Sequence, residues 1–166
     1  MSKLTYPDSL ILGVLRSVRT IAMVGASANW NRPSYFAMKY LQEKGYRVIP
    51  VNPGLAGKEL LGETAYASLS DIPEAFQMVD IFRAPEAVGP IVEEAIALKE
   101  RRGITVVWMQ LGVINEAAAA AAEAAGLTVI MDRCPKIEFG RLNAELSWGG
   151  FDSGVISAKR RRLTAA

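Results

Sequence analysis

Short apolar runs rich in Val, Ile and Met alternate along this chain with stretches of helical spacing. Thr20 to Val24 is the first run, and Arg47 to Val51, Met78 to Phe82, Ile104 to Met109 and Leu127 to Met131 follow it. These runs are nearly continuous in apolar residues, as expected of strands covered on both faces. Between them, Ser34 to Lys44 carries Phe36, Met38, Tyr40 and Leu41 on a helix that Gly45 ends. Val88, Ile91, Val92, Ala95 and Ile96 share one face of a helix that starts between Pro85 and Pro90 and reaches about Arg101. Asn115 caps a helix through Ala125, and Gly126 terminates it. Ahead of the first strand, Pro7 to Val18 places Leu10, Ile11, Val14, Leu15 and Val18 at helical spacing. Leu55 to Tyr66 reads as a glycine-punctuated connection with a short extended piece, and Ser70 or Asp71 is expected to cap a short helix near Ile72 to Ala75.

Strands and helices alternating at these intervals force parallel pairing through right-handed crossovers. The expected fold is α/β: a Rossmann-like, doubly wound, mainly parallel five-stranded sheet in a single domain over residues 1–147. A flexible basic tail is expected over residues 148–166. Ligands of open α/β sheets bind beyond the carboxyl ends of the strands. That rule gathers residues 25–34, 52–57, 82–85, 110–113 and 132–135 along one edge.

Composition narrows the possibilities. With 166 residues, 51% of them apolar, the chain can bury one sizeable core without disulfides or a metal. Cys134 is its single cysteine and histidine is absent, which excludes Ser-His-Asp and Cys-His nucleophile systems, a phosphohistidine relay and histidine metal ligands. No metal site is expected. Lys159, Arg160, Arg161 and Arg162 supply four of the positive charges, and without them the net +2 becomes −2. The folded part therefore has no basic footprint for nucleic acid. The N-terminal residues are polar, and the alanine-rich Ala117 to Ala125 is too short to span a bilayer, so a cytoplasmic protein with no membrane partner is expected.

Two loops carry candidate chemistry. A strand, the turn Gly25-Ala26-Ser27 and a helix start near Pro33-Ser34 direct backbone amides and a helix dipole at one spot, which favours an anion. The dinucleotide pattern G-x-G-x-x-G is not met, because Ser27 stands at its second glycine and Arg32-Pro33 follow. NAD-binding folds usually carry an acid at the end of the second strand to hold the ribose 2′-OH. Here Asn52-Pro53-Gly54 stands there, which disfavours NAD and suits a ligand anionic near its ribose, such as NADP or coenzyme A. The same tripeptide is also ordinary β-turn text. Arg83, after Phe82 at a strand end, reads either as a bidentate phosphate ligand or as a surface arginine. Trp108 and Phe82 read as core residues of strands rather than adenine stackers. Cys134, between Arg133 and Pro135-Lys136, is a candidate redox thiol whose neighbouring cations could favour the thiolate; the alternative is a buried, inert thiol. Glu138 is assigned no role.

Taken together, Val24-Gly25-Ala26-Ser27 with Arg32-Pro33-Ser34, Gly45-Tyr46 before Val48-Ile49-Pro50-Val51-Asn52-Pro53, Val79-Asp80-Ile81-Phe82-Arg83, Trp108-Met109-Gln110-Leu111-Gly112 and Asp132-Arg133-Cys134-Pro135 resemble the stand-alone CoA-binding domain proteins. That family is similar to the N-terminal, CoA-binding Rossmann domain of the succinyl-CoA synthetase α subunit. The resemblance covers roughly residues 5–145 and implies a coenzyme A site. In it Gly25, Ala26 and Ser27 take the pyrophosphate, with Arg32 and Ser34 nearby. Val51, Asn52 and Pro53 hold the adenosine end, Phe82 and Arg83 border adenine and phosphates, and Gln110, Leu111 and Gly112 line the route of the pantetheine arm. Two departures stand out. The synthetase's catalytic histidine lies in a domain absent here, and its loop places a lysine soon after the proline-glycine turn, where this chain has Leu55 and its nearest lysine is Lys58.

Three classes of function follow. The first is a binding module for coenzyme A or an acyl-CoA, without ligase machinery. An NADP-dependent oxidoreductase is the second, although no histidine or Tyr-x-x-x-Lys pair supplies its proton donor. The third is an interaction subunit that lends a CoA-binding domain to a separate ligase.

Overall fold

The computed structural model describes residues 4–144, so the tail expected from residue 148 lies outside the described residues. Five strands, β1 (Thr20–Val24), β2 (Arg47–Val51), β5 (Met78–Ile81), β6 (Val106–Met109) and β7 (Thr128–Ile130), form one sheet in the order β2-β1-β5-β6-β7. Every neighbouring pair is parallel. Both faces are covered, which is why β5 and β6 are buried at all positions. Helices α1 (Asp8–Ser17), α2 (Pro33–Glu43) and α5 (Pro135–Arg141) lie over one face, against Met23, Val48, Trp108 and Ile130. On the other face α3 (Val88–Arg102) and α4 (Glu116–Ala124) pack against Ala22, Ile49, Val79 and Val107. This is the Rossmann-like α/β architecture that the periodicity predicts. Among the described residues no helix is long and apolar enough to cross a membrane.

The crossover from β2 to β5 departs from expectation. Its extended piece is a small antiparallel hairpin, β3 (Glu59–Leu60) with β4 (Glu63–Thr64), turned by Leu61 and Gly62, both at positive φ. The helix expected near Ile72 to Ala75 is absent. A 3-10 turn over Leu69–Asp71 replaces it, with Ser68 at its start and Ile72 already extended at ψ 121. Pro73 explains the stop, because a residue before proline is driven out of the helical region. Tyr66 then pairs with Val51 as an isolated parallel bridge and covers part of the sheet's edge.

Helix α3 starts before Pro90, which occupies its first turn, where a missing N–H costs nothing. Strands β6 and β7 are shorter than their apolar runs, although bonds such as Thr128 N–H to Thr105 O continue the ladder beyond them. Helix α5 is not expected from the sequence, where Asp132 to Pro135 reads as a loop. Pro135 starts it with a preset φ, and it is anchored by Phe139 packing edge-on against Tyr40 and Tyr46. Glu138 on this helix is buried and accepts a hydrogen bond from Arg141, which also pairs with Asp8 of α1.

Candidate functional site

The strand order reverses between β1 and β5, and a cleft of about 1210 Å³ opens at their carboxyl ends. A topological switch of this kind leaves two adjacent loops diverging to opposite faces of the sheet, with room between them. Gly25 begins the β1–α2 loop at φ +91, and a Cβ there would stand 2.2 Å from the Phe82 carbonyl oxygen. Only glycine allows the two strand ends to approach so closely. Beyond it, the Ser27 hydroxyl accepts from Asn29 N–H and the Asn29 side chain accepts from Asn31 N–H, so the loop is organised by its own side chains. Arg32 occupies the N-cap of α2 and no side chain caps that helix end. Pro33 has no N–H and the Tyr35 amide donates to the Arg32 carbonyl, so the Ser34 amide and the helix dipole are what favour an anion in the cleft, which Arg32 and Ser34 line.

Asn52 is tied on both polar atoms. Its Nδ2 donates to the Ala26 carbonyl at 2.7 Å and its Oδ1 accepts from Gly54 N–H at 2.9 Å. The side chain thus locks the turn after β2 to the glycine loop after β1, so its first role is to hold the rim of the cleft. Val51 and Pro53 line the same end. Across the switch point Phe82 is half-buried and Arg83 exposed, and both line the cleft.

Below the far end lies a buried polar pair. Asp80 is wholly buried on β5, and its Oδ1 accepts from Gln110 Nε2 at 2.8 Å. Its other oxygen, Oδ2, has no partner. Burial raises the Asp80 carboxyl to about 7, against the lowering effect of the Gln110 bond. Gln110, only 6% exposed, passes from this pair to the cleft wall. Cys134 lines the cleft nearby as the N-cap of α5. Burial pushes its thiol above the usual value, and the amides of Ile137 and Lys136 only partly oppose that. The cations expected to favour a thiolate do not prevail. Arg133 is drawn away to the Leu4 carbonyl and over the Tyr6 ring, and Lys136 sits over the Tyr40 ring.

The structure therefore brings Gly25, Ala26, Ser27, Arg32 and Ser34 together with Val51, Asn52 and Pro53, and adds Phe82, Arg83, Gln110, Leu111 and Cys134 on the opposite wall. Gly112 and Lys58 are not among the lining residues. Gly112 is instead a turn residue at φ +80 whose N–H donates to Asp132 Oδ1. Trp108 lies in the core with its Nε1 donating to the Arg133 carbonyl. Sequence reasoning missed three parts of the wall. Ser68 and Leu69 come from the 3-10 turn placed too far along the chain, and Glu94 of α3 joins them by accepting from the amide and hydroxyl of Ser70. Phe36 is missed because an apolar helix position reads as core, and Ile137 because no helix is expected over α5. Asp80, a lone carboxylate inside Met78 to Ile81, was the available signal for the buried pair.

Comparisons with known proteins bear on this cleft. Residues 19–140 match the family model described as a CoA binding domain. The chain is 36% identical over 124 residues to the uncharacterized protein YneT of Bacillus subtilis (strain 168), covering 75% of this chain and 87% of that one. A structure from Thermus thermophilus superposes with a TM-score of 0.77 at 39% identity, covering 82% of this chain and 99% of that one. A hypothetical protein from Pyrococcus horikoshii OT3 gives a TM-score of 0.77 at 37% identity, with 86% and 99% covered.

Proposed function

Because the chain belongs to the CoA-binding domain family, we propose that the cleft at the switch point holds coenzyme A or an acyl-CoA, and that the protein acts as a binding module without ligase chemistry. The observation that carries this reading is the donor set gathered on one edge. Arg32, Arg83, the uncapped start of α2 and the hydroxyls of Ser27 and Ser34 suit a pyrophosphate and a ribose phosphate. Asn52 stands where an NAD site carries a carboxylate, and its Nδ2 has a second proton to offer after bonding Ala26. The wall through Gln110 and Leu111 offers one amide and apolar surface, as a pantetheine arm requires. The chain has no histidine to carry a phosphoryl group, so the ligase reaction of larger CoA enzymes is not part of the proposal.

Thermal unfolding tests this reading. Coenzyme A at a hundred times its dissociation constant should add about 2.7 kcal/mol, which means a rise of roughly 5 to 11 °C in Tm. NAD should give almost none, and dephospho-CoA should bind about ten- to a hundredfold more weakly than CoA if the ribose phosphate is held by a charge-assisted bond. A larger shift with NAD or NADP than with CoA would overturn the proposal.

A further inference from the structure

Among the described residues the large apolar side chains left exposed are Trp30, Phe36, Leu111 and Ile137. Three of them, Phe36 at 50% exposure, Leu111 at 57% and Ile137 at 51%, line the same cleft. They come from separate elements: the first turn of α2, the loop after β6 and the first turn of α5. Single exposed apolar residues on a surface need no explanation, but three converging on one groove mark a place that expects apolar cover.

Their position says what the cover is. Asn52 and Pro53 follow β2 at one margin of the sheet, Gln110 and Leu111 follow β6, and Cys134 follows β7 at the other margin. Four interstrand steps of about 4.8 Å separate those margins, roughly 19 Å in all. The charged groups Arg32 and Arg83 sit on loops that leave β1 and β5, toward the middle of that span. Leu111 and Ile137 therefore lie past the cations, at the end away from Asn52, and Phe36 joins them from α2, whose Tyr40 packs against Phe139 of α5. Lys136, next to Ile137 in the chain, is placed 5.3 Å from the centroid of the Tyr40 ring.

We propose that this end of the cleft is an acyl subsite, formed by Phe36, Leu111 and Ile137, that takes a neutral aliphatic acyl group carried on coenzyme A. The inference rests on the coenzyme A reading and deepens it. A ligand laid along the edge with its adenosine at Asn52 presents its sulfur end at the β6 and β7 loops. A thioester there directs its acyl chain onto the trio, whereas free coenzyme A leaves the trio uncovered. A carboxylated acyl group would bring a charge against the three apolar side chains, with Lys136 already engaged on Tyr40, and is disfavoured.

Affinity across a series of CoA thioesters tests the subsite, with acetyl-, butyryl-, hexanoyl- and succinyl-CoA each compared with CoA by calorimetry on the full chain. The expected ratio of thioester to CoA affinity rises about twofold to fourfold for each added methylene, and succinyl-CoA falls below butyryl-CoA. Ile137→Ser and Phe36→Ser alter exposed positions and should fold. In each, the ratio for hexanoyl-CoA should drop about threefold to tenfold toward that of acetyl-CoA. If CoA binds but the ratio is flat with chain length, the acyl subsite is overturned while the coenzyme A reading stands. Should no CoA species bind, both fall together. A concentration-dependent dimer lost in Ile137→Ser, with a flat chain-length series, would assign the trio to a second copy of the chain and overturn the subsite.

Discussion

Asn52 is bound on both polar atoms, and a substitution there tests two roles at once. Asn52→Asp keeps the acceptor for Gly54 N–H but removes the donor to Ala26, leaving two oxygens facing each other where a 2.7 Å bond stood. We expect a loss of about 1 to 3 kcal/mol in stability by chemical unfolding, together with weaker CoA binding through like-charge repulsion. A variant that kept full stability would show that the bond to Ala26 is dispensable. Gly25→Ala is harsher, since it combines positive φ with a Cβ 2.2 Å from Phe82 O. The left-handed conformation alone costs about 1 to 2 kcal/mol, and the backbone clash must spread β1 from β5. A Tm within error of wild type would contradict that. Asp80 predicts a pH dependence. Its folded value, about 7, lies above the ordinary carboxyl value of 3.8, so the folded state binds the proton more tightly. The stability this contributes is fully present below the unfolded value and is lost as pH rises through about 7. Unfolding free energy should therefore fall between those values with a slope of up to about 1.4 kcal/mol per pH unit. In Asp80→Asn, which keeps an acceptor for Gln110, that part of the slope should vanish; identical pH profiles would refute the assignment.

At the scale of elements, helix ends set the loops that form the cleft. Asn115 caps α4 through Ala118 N–H, and its Nδ2 also donates to the Pro85 carbonyl, joining the β6–α4 loop to the start of α3. Asn115→Ala should cost about 0.5 to 2 kcal/mol and loosen the loop that carries Leu111, measurable as faster amide exchange over residues 110–114. Unchanged exchange would mean that Val113, which is buried, fixes the loop alone. Helix α5 shows a different dependence. It is short for independent stability, and its anchors are the Phe139 rings contacts and the Glu138, Arg141 and Asp8 cluster. The sequence of α5 therefore carries little periodic signal, and Ile137 and Lys136 reach the cleft only because tertiary contacts order the helix.

For the whole molecule, the N-terminal segment closes the β7 margin. Tyr6 OH accepts from Met131 N–H, and Arg133 donates to the Leu4 carbonyl. These contacts pull Arg133 away from Cys134 and leave burial to raise the thiol. A redox role for the candidate thiol Cys134 thus needs alkaline conditions: a CoA mixed disulfide, read by intact mass after incubation with CoA disulfide, should form faster as pH rises and be absent in Cys134→Ser. No adduct at any pH, with CoA binding intact, would leave Cys134 an inert thiol. The strands, most helices and the loops that gather at the carboxyl edge were legible in the sequence, because period, capping and glycine turns act over a few neighbouring residues. So was the asparagine, rather than an acid, at the end of β2. The pairing of Asn52 with Ala26, of Asp80 with Gln110, and the convergence of Phe36, Leu111 and Ile137 were not legible. Each joins residues far apart in the chain, and strand order and the face taken by each helix decide whether they meet. Apolar residues on a helix read alike whether they cover a core or a ligand groove, and only the packed sheet edge separates the two.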